Sequence, residues 1–233
     1  MFDAVLFDLD GTLIDTAPEI GEALNLCLQE LDLPRADARL VRSWIGHGTM
    51  NLIAEALAHH QGPQGPIKAE SVLPLFRRNY RQVSGRLGRP FPGVMETLTA
   101  LQARRVPMAV VSNKESEFGR QLLVAHRMEP FFDLAVFGDT LAERKPSPLP
   151  LQHCMRVLQT TPPRTLLIGD SEIDVETARR ADLPVWAVSY GYRHKPTARE
   201  LGADRVIDSL VDVLPYLNSR HPIWADRAHA GAE

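Results

Sequence analysis

Positive charge is not in excess anywhere a nucleic-acid binder would need it. The 233-residue chain sets 26 Lys and Arg against 29 Asp and Glu, a formal net charge of −3. That balance offers no general hold on phosphate backbones or anionic bilayers, so neither nucleic acid nor a membrane is expected as a partner. Cysteine is nearly absent. Cys27 and Cys154 are too few for a disulfide framework or a zinc cluster, and Cys27 falls on an apolar helix face as a core thiol would. No apolar run approaches the roughly 18 residues of a membrane span. With no leader-like segment at the start, a reduced, cytoplasmic location is expected. Lysine is the scarcest of the charged residues, found only at Lys68, Lys114, Lys145 and Lys195. Where arginine is so strongly favoured, a lysine beside other chemically active residues carries weight.

The remaining composition, 44% hydrophobic and 24% charged, is ordinary for a globular protein with a real core. The length suits one large domain or a core with an inserted unit. What stands out is the stretch 5–16. An apolar run (Ala4, Val5, Leu6, Phe7) of strand length leads directly into Asp8 and Asp10, followed by Gly11 and Thr12. Desolvating paired carboxylates is costly, so a buried strand does not end this way for stability alone.

Beyond Thr16 the pattern is helical. Ile20, Ala23, Leu24, Cys27, Leu28 and Leu31 form one apolar stripe, with Pro18 tolerated in the first turn. A short helix is expected at about 37–43, then a loop from Trp44 to Gly48. A third helix carries Met50, Ile53, Ala54 and Leu57. A Gly-Pro break spans 62–66, and a fourth helix covers about 67–83. No strand is expected between Thr16 and Pro90.

From Pro92 the texture alternates. Short apolar strands are expected at 108–111, 134–137, 165–168, 185–188 and 205–207, with helices between them and a final helix through Leu214. The tail from 218 lacks apolar periodicity and is expected to be mobile. Such alternation predicts an α/β fold, a parallel sheet covered by helices on both faces. These folds bind ligands beyond the carboxyl ends of their strands, and Asp8, Ser112 and Asp170 all stand just after apolar strands.

Asp8, Asp10, Asp170 and Asp174 would then converge with Ser112 and Lys145. Clustered carboxylates need a counter-charge, and an all-oxygen donor set without His or Cys points to Mg²⁺. A carboxylate can attack phosphorus to give an aspartyl-phosphate, while a second acid nearby handles the proton of the leaving alkoxide. Backbone N–H groups near Gly11 can cradle phosphoryl oxygens. Ser112 and Lys145 can stabilise the charge that develops there.

These residues closely resemble the four motifs of the haloacid dehalogenase superfamily: Asp8-Leu9-Asp10-Gly11-Thr12, Ser112-Asn113, Lys145-Pro146, and Gly169-Asp170-Ser171 with Asp174. The resemblance covers about residues 1–215. It implies a Rossmann-like core at 1–15 and 88–217 with a small all-helical cap at 16–87, inserted after the first strand. It makes Asp8 the nucleophile and Asp10 the acid/base. Mg²⁺ would be held by the Asp8 carboxylate, the Asp10 backbone carbonyl and Asp170, with Asp174 in support. Gly11, Thr12 and Asn113 would lie against the substrate.

Asp10 disfavours dehalogenase and phosphonate hydrolase chemistry, in which that acid is replaced. The chain is most similar to the bacterial phosphoglycolate phosphatases of this superfamily, through Asp-Thr-Ala-Pro-Glu at 15–19, the Trp44 loop, Pro92-Gly93-Val94, Val111-Ser112-Asn113-Lys114 and Ser-Tyr-Gly-Tyr at 189–192. Ser112 replaces a commoner Thr, and Ile173 stands where Asn often precedes the last Asp. The resemblance implies hydrolysis of 2-phosphoglycolate. Another small phosphate ester (sugar phosphate, amino-sugar phosphate or pyrophosphate) and a sugar phosphomutase activity are the alternatives. A phosphate-ester sensor without turnover is disfavoured, because binding alone needs no Asp10.

In the cap, Gly46-His47-Gly48 exposes backbone N–H groups at a helix start, an anion-binding arrangement. His47 and Arg42 are the candidates to meet a substrate carboxylate there. His59-His60 reads as a solvated pair, and Arg77, Arg78, Arg81, Arg86 and Arg89 as a solvated face and hinge. Oligomeric state is not set by the sequence.

Overall fold

The computed structural model describes residues 1–62, 65–192 and 200–218. Its strands are β1 (Ala4–Phe7), β2 (Ile14–Asp15), β3 (Arg89–Pro90), β4 (Met108–Val111), β5 (Leu134–Val136), β6 (Thr165–Gly169), β7 (Val185–Val188) and β8 (Arg205–Ile207). Its helices are α1 (Ala17–Glu30), α2 (Ala38–Trp44), α3 (Thr49–Gln61), α4 (Ala69–Val83), α5 (Val94–Ala103), α6 (Ser116–Ala125), α7 (Leu149–Val157) and α8 (Glu172–Arg180). Six strands form one parallel sheet in the order β5-β4-β1-β6-β7-β8.

Every residue of β1, β4, β6 and β7 is buried, which is why they read as unbroken apolar runs rather than alternating ones. Successive side chains still part to opposite faces. Val5, Phe7, Val110 and Ile168 pack with Val94, Leu98 and Leu101 of α5. Leu6, Ala109, Val111 and Leu167 pack with Leu151 and Cys154 of α7 and Ala178 of α8. Each fully buried Leu, Ile or Phe contributes about 1.5–3 kcal/mol, and this two-faced core offsets the burial of acids at the strand ends.

The chain leaves the sheet after β1, builds α1 to α4, and returns at β3. The α1 stripe is confirmed in Ile20, Leu24, Cys27 and Leu28, all buried against Ile53, Leu57, Phe76 and Tyr80. Tyr80 stacks on Phe76 at 5.5 Å between centroids and meets Phe118 of α6 edge-on at 4.7 Å. The helical block is thereby seated on the sheet unit through aromatic contact.

Three elements differ from the sequence expectation. Arg89–Pro90 pairs antiparallel with Ile14–Asp15, so the two crossings between sheet and helical block are clasped by a pair of two-residue strands. Segments that short carry no readable period. The last helix is a 3₁₀ helix, Leu210–Tyr216, with Pro215 inside it; proline cannot donate to an α-helical ladder. Asn218 is tied down rather than loose, its backbone N–H donating to the Phe2 carbonyl at 2.9 Å and its amide to Asp3 at 2.6 Å. The expected mobile tail beyond it, 219–233, lies outside the described residues. Among the described residues no helix is long and apolar enough to cross a membrane.

Candidate active site

The centre of the sheet decides where the acids go. β1 lies between β4 and β6, so the residues following these three strands, Asp8, Ser112 and Asp170, come out side by side. Asp8, Asp170 and Asp174 present carboxylate oxygens all within 4.8 Å of one another, and all three residues are buried. Asp170 directly follows β6, and Asp174 lies on the first turn of α8. There it completes a capping box with Ser171: Asp174 Oδ2 accepts from Ser171 Oγ at 2.6 Å and from the Ser171 and Asp170 backbone N–H groups at 3.1 and 3.2 Å. Its other oxygen accepts from Lys145 Nζ at 2.7 Å.

Lys145 enters from the segment after β5 and is 4% exposed. Its ammonium lies 2.8 Å from Asp8 Oδ1 and 2.7 Å from Asp174 Oδ1, bridging two carboxylates that would otherwise repel. Burial works against its charge, but Asp174 and Asp8 outweigh that and hold its pKa above the ordinary lysine value. Burial is also the largest influence on Asp8, pushing its carboxyl up to about 7. Lys145 opposes that rise, and Asp174 and Asp10 add to it. Asp170 is raised well above the usual carboxylate range by burial first, then by Asp174 and Asp8. Three buried acids with one cation among them form an electron-rich pocket of oxygen donors. That donor set fits a hard divalent cation.

Gly11 is what lets the strands close on each other. Its φ is +84°, and a Cβ there would fall 2.4 Å from Asp170 Oδ2. Thr12 is fully buried, its hydroxyl 3.5 Å from Asp170 Oδ1. Both residues therefore sit beneath the acidic group and shape it rather than line the open space. Asp170 Oδ2 also accepts from the Tyr192 backbone N–H at 2.6 Å.

Asp10 faces a different set of partners. Its Oδ1 accepts from Thr16 Oγ1 at 2.5 Å and from Lys114 Nζ at 3.0 Å, and Lys114 reaches Oδ2 at 3.2 Å. The Lys114 ammonium lies 4.8 Å from the centre of the Tyr80 ring. Tyr80 in turn donates to the fully buried Glu19 of α1 at 2.8 Å. Glu19 Oε2 accepts from the Gly85 and Gly88 backbone N–H groups at 2.9 and 3.1 Å. A continuous polar chain thus runs from Asp10 to the segment joining α4 to β3.

A cavity of about 60 Å³ lies over these residues. Of the residues expected from sequence, Asp8, Asp10, Ser112, Asn113, Lys145 and Asp170 line it, as do Gly46 and Gly48 of the loop between α2 and α3. Gly48, φ +91°, directly precedes α3 and is closely covered by Arg144, whose Nη1 would be 3.0 Å from an added Cβ. Two expected contacts are not brought there. Arg42 pairs with Asp15 at 3.1 Å, half exposed and outside the cavity. His47 lines a neighbouring cleft with Arg144 and Met50, one that shares Asn113 and Lys145 with the cavity. The arginine face behaves as read, with Arg77 and Arg81 of α4 pairing with Glu115 and Glu117 at the start of α6.

Lys114, Thr16, Tyr80 and Tyr192 were not identified as site residues from sequence. The scarcity of lysine that singled out Lys145 applied equally to Lys114, one residue past Ser112-Asn113. Tyr192 carries no such signal. Its phenol accepts from the Ala17 backbone N–H at 2.9 Å and donates to Asp15, a link visible only in the fold.

A doubly covered parallel sheet with carboxylates converging on a buried lysine at its carboxyl edge is an α/β arrangement suited to phosphoryl transfer. Residues 5–188 match the family model for haloacid dehalogenase-like hydrolases. The chain is 40% identical over 215 residues to the plasmid-borne phosphoglycolate phosphatase of Cupriavidus necator, covering 92% of each chain. It is 37% identical over 210 residues to the phosphoglycolate phosphatase of Thiobacillus denitrificans, covering 90% of this chain and 92% of the other. The crystal structure of "a predicted phosphoglycolate phosphatase" from Haemophilus somnus superposes with a TM-score of 0.85 at 30% identity, over 92% of this chain and 97% of the other. The chain belongs to the haloacid dehalogenase-like hydrolase family, and it is a phosphoric monoester hydrolase.

Proposed function

We propose that the protein is an Mg²⁺-dependent phosphatase that hydrolyses 2-phosphoglycolate to glycolate and phosphate. The observation that carries this reading is the buried contact of Asp8 with Lys145, set beside Asp170 at the sheet edge. The substrate follows from the relatives of 37–40% identity named phosphoglycolate phosphatase.

In the proposed reaction an Asp8 oxygen forms a bond to phosphorus as the bond to the glycolate oxygen breaks. Asp10 gives its proton to that departing oxygen. Water then attacks phosphorus, Asp10 takes up the water proton, and the P–O bond to Asp8 breaks to free phosphate. Lys145, held by Asp174, and the Ser112 hydroxyl stabilise charge on the transferring group. Asp8, Asp170 and the Asp10 carbonyl would hold Mg²⁺, with Asp174 in support through its hold on the Asp170 N–H and Lys145. When bound, the metal supplies positive charge against the phosphoryl oxygens.

The division of labour is read as follows. Residues 1–15 and 88–217 form the core that carries the chemistry, and 16–87 form a cap that closes the cavity over the leaving group. Free, buried Cys27 and Cys154 suit the reducing cytoplasm.

The test is a kcat/KM panel of 2-phosphoglycolate, hexose phosphates, amino-sugar phosphates and pyrophosphate, with and without chelator. Preference for 2-phosphoglycolate, lost with EDTA and restored by Mg²⁺, is expected. Preference for a sugar phosphate would overturn the substrate, and undiminished turnover after chelation would overturn the metal requirement.

A further inference from the structure

The chemistry at phosphorus uses Lys145 and leaves the second lysine of the cavity without a role. Lys114 is almost wholly buried, its side chain 6% exposed, in a place where an ammonium is expensive to put. Its described partners are the two Asp10 oxygens at 3.0 and 3.2 Å and the Tyr80 ring face. An ammonium has three donors, so Asp10 does not exhaust it.

The surroundings narrow what else it could meet. The cap side of the cavity is built from the side chains of Ile20, Ile45, Leu52, Phe76 and Tyr80 and from Gly46, Gly48 and Thr49, with Phe118 from the core. Among the described lining residues the cations are Lys145, shared by Asp8 and Asp174, and Lys114. Arg42 is engaged by Asp15 outside the cavity, and His47 faces the next cleft. An anionic group on the leaving side of a substrate therefore has Lys114 as the lining cation to meet, across from the backbone at the start of α3 (Gly48, Thr49) and the apolar side chains of the cap side.

Reach agrees with this. A general acid lies about 2.6–3.2 Å from the oxygen it protonates, and Lys114 Nζ is 3.0 Å from Asp10 Oδ1. The lysine is thus beside the departing oxygen. A carboxylate joined to that oxygen through a single carbon falls within its range.

We propose that Lys114 is the specificity-determining residue of the site, recognising the carboxylate of the leaving group and selecting phosphate esters of short α-hydroxy acids over uncharged alcohols. This rests on the phosphoglycolate reading and assigns the contact that enforces it. Tyr80 and Glu19 hold the ammonium in place from the cap side. The lysine acts on the leaving group and takes no part in the bond changes at phosphorus.

The experiment compares kcat/KM for 2-phosphoglycolate and for its neutral amide, 2-phosphoglycolamide, in wild type, Lys114→Met and Lys114→Arg. The wild type is expected to prefer the acid. Lys114→Met should lower that acid-to-amide ratio about 10- to 100-fold, the scale of a charged hydrogen bond, and Lys114→Arg should restore part of it. Any change transmitted through Asp10 affects both esters and cancels in the ratio. Lys114→Gln supplies the same comparison if the Met variant does not fold. A ratio unchanged in the uncharged variants, even with both activities reduced, overturns the role of Lys114 alone. A wild type indifferent to the carboxylate overturns the substrate reading, and this inference with it.

Discussion

At Gly11 the backbone adopts φ +84°, and an added Cβ would sit 2.4 Å from Asp170 Oδ2 and 2.9 Å from the Tyr192 ring. A side chain there meets two separate penalties, a left-handed conformation costing about 1–2 kcal/mol and a collision that displaces a proposed metal ligand. Gly11→Ala is expected to lower the melting temperature and to shift the Mg²⁺ concentration for half-maximal activity upward. Unchanged Mg²⁺ activation in a destabilised protein would show that Asp170 is not displaced. At this scale the sequence was most informative. Asp8, Asp10 and Asp170 were legible because acids at the ends of apolar runs violate the rules for buried strands, and Lys145 because lysine is so rare in this chain. Arg42, on α2, and His47, in the loop before α3, do not line the cavity, because residue type says nothing about the direction in which a side chain turns.

The helical block and its connections make the element scale less legible. Helices α1 to α4 were readable from their periodicity, while the clasp of β2 with β3 has two residues per strand and no pattern at all. Glu19 is the clearest loss. An acid in the first turn of α1 is ordinary, yet it is fully buried and binds the backbone of Gly85 and Gly88 across the connection back to the sheet. Burial raises its pKa from the usual 4.5, against the opposing influence of Lys114 and its hydrogen bonds from Tyr80 and the two glycines. A folded carboxyl with a raised pKa binds its proton more tightly than the unfolded chain. Stability from this group is therefore full below the unfolded value and falls as pH rises through the folded one. Glu19→Gln removes that dependence and can still accept from both glycines. The variant's melting temperature relative to wild type should climb as pH is raised from 4.5. A difference that is flat with pH, or that shrinks, contradicts the assignment.

Over the whole molecule, stability and chemistry are kept in separate layers. The two faces of the sheet are packed with aliphatic side chains, while burying the acids at the carboxyl edge costs several kcal/mol per ion before pairing. The sheet order β5-β4-β1-β6 unites residues more than 100 positions apart, and the sequence foretold that convergence only through the general rule for parallel α/β folds. The surface arginines pair with acids across the gap between α4 and α6; at half exposure such pairs are worth only about 0–1 kcal/mol. The central claim is that Asp8 carries the phosphoryl group from the glycolate oxygen to the oxygen of water. Its most direct test is rapid acid quenching during turnover of 2-phosphoglycolate, followed by mass spectrometry of the peptide containing Asp8. Phosphate bound to Asp8 within the first turnover is predicted, with none in Asp8→Asn and activity there down about a thousand-fold or more. Full turnover with an Asp8 peptide that never carries phosphate would contradict it.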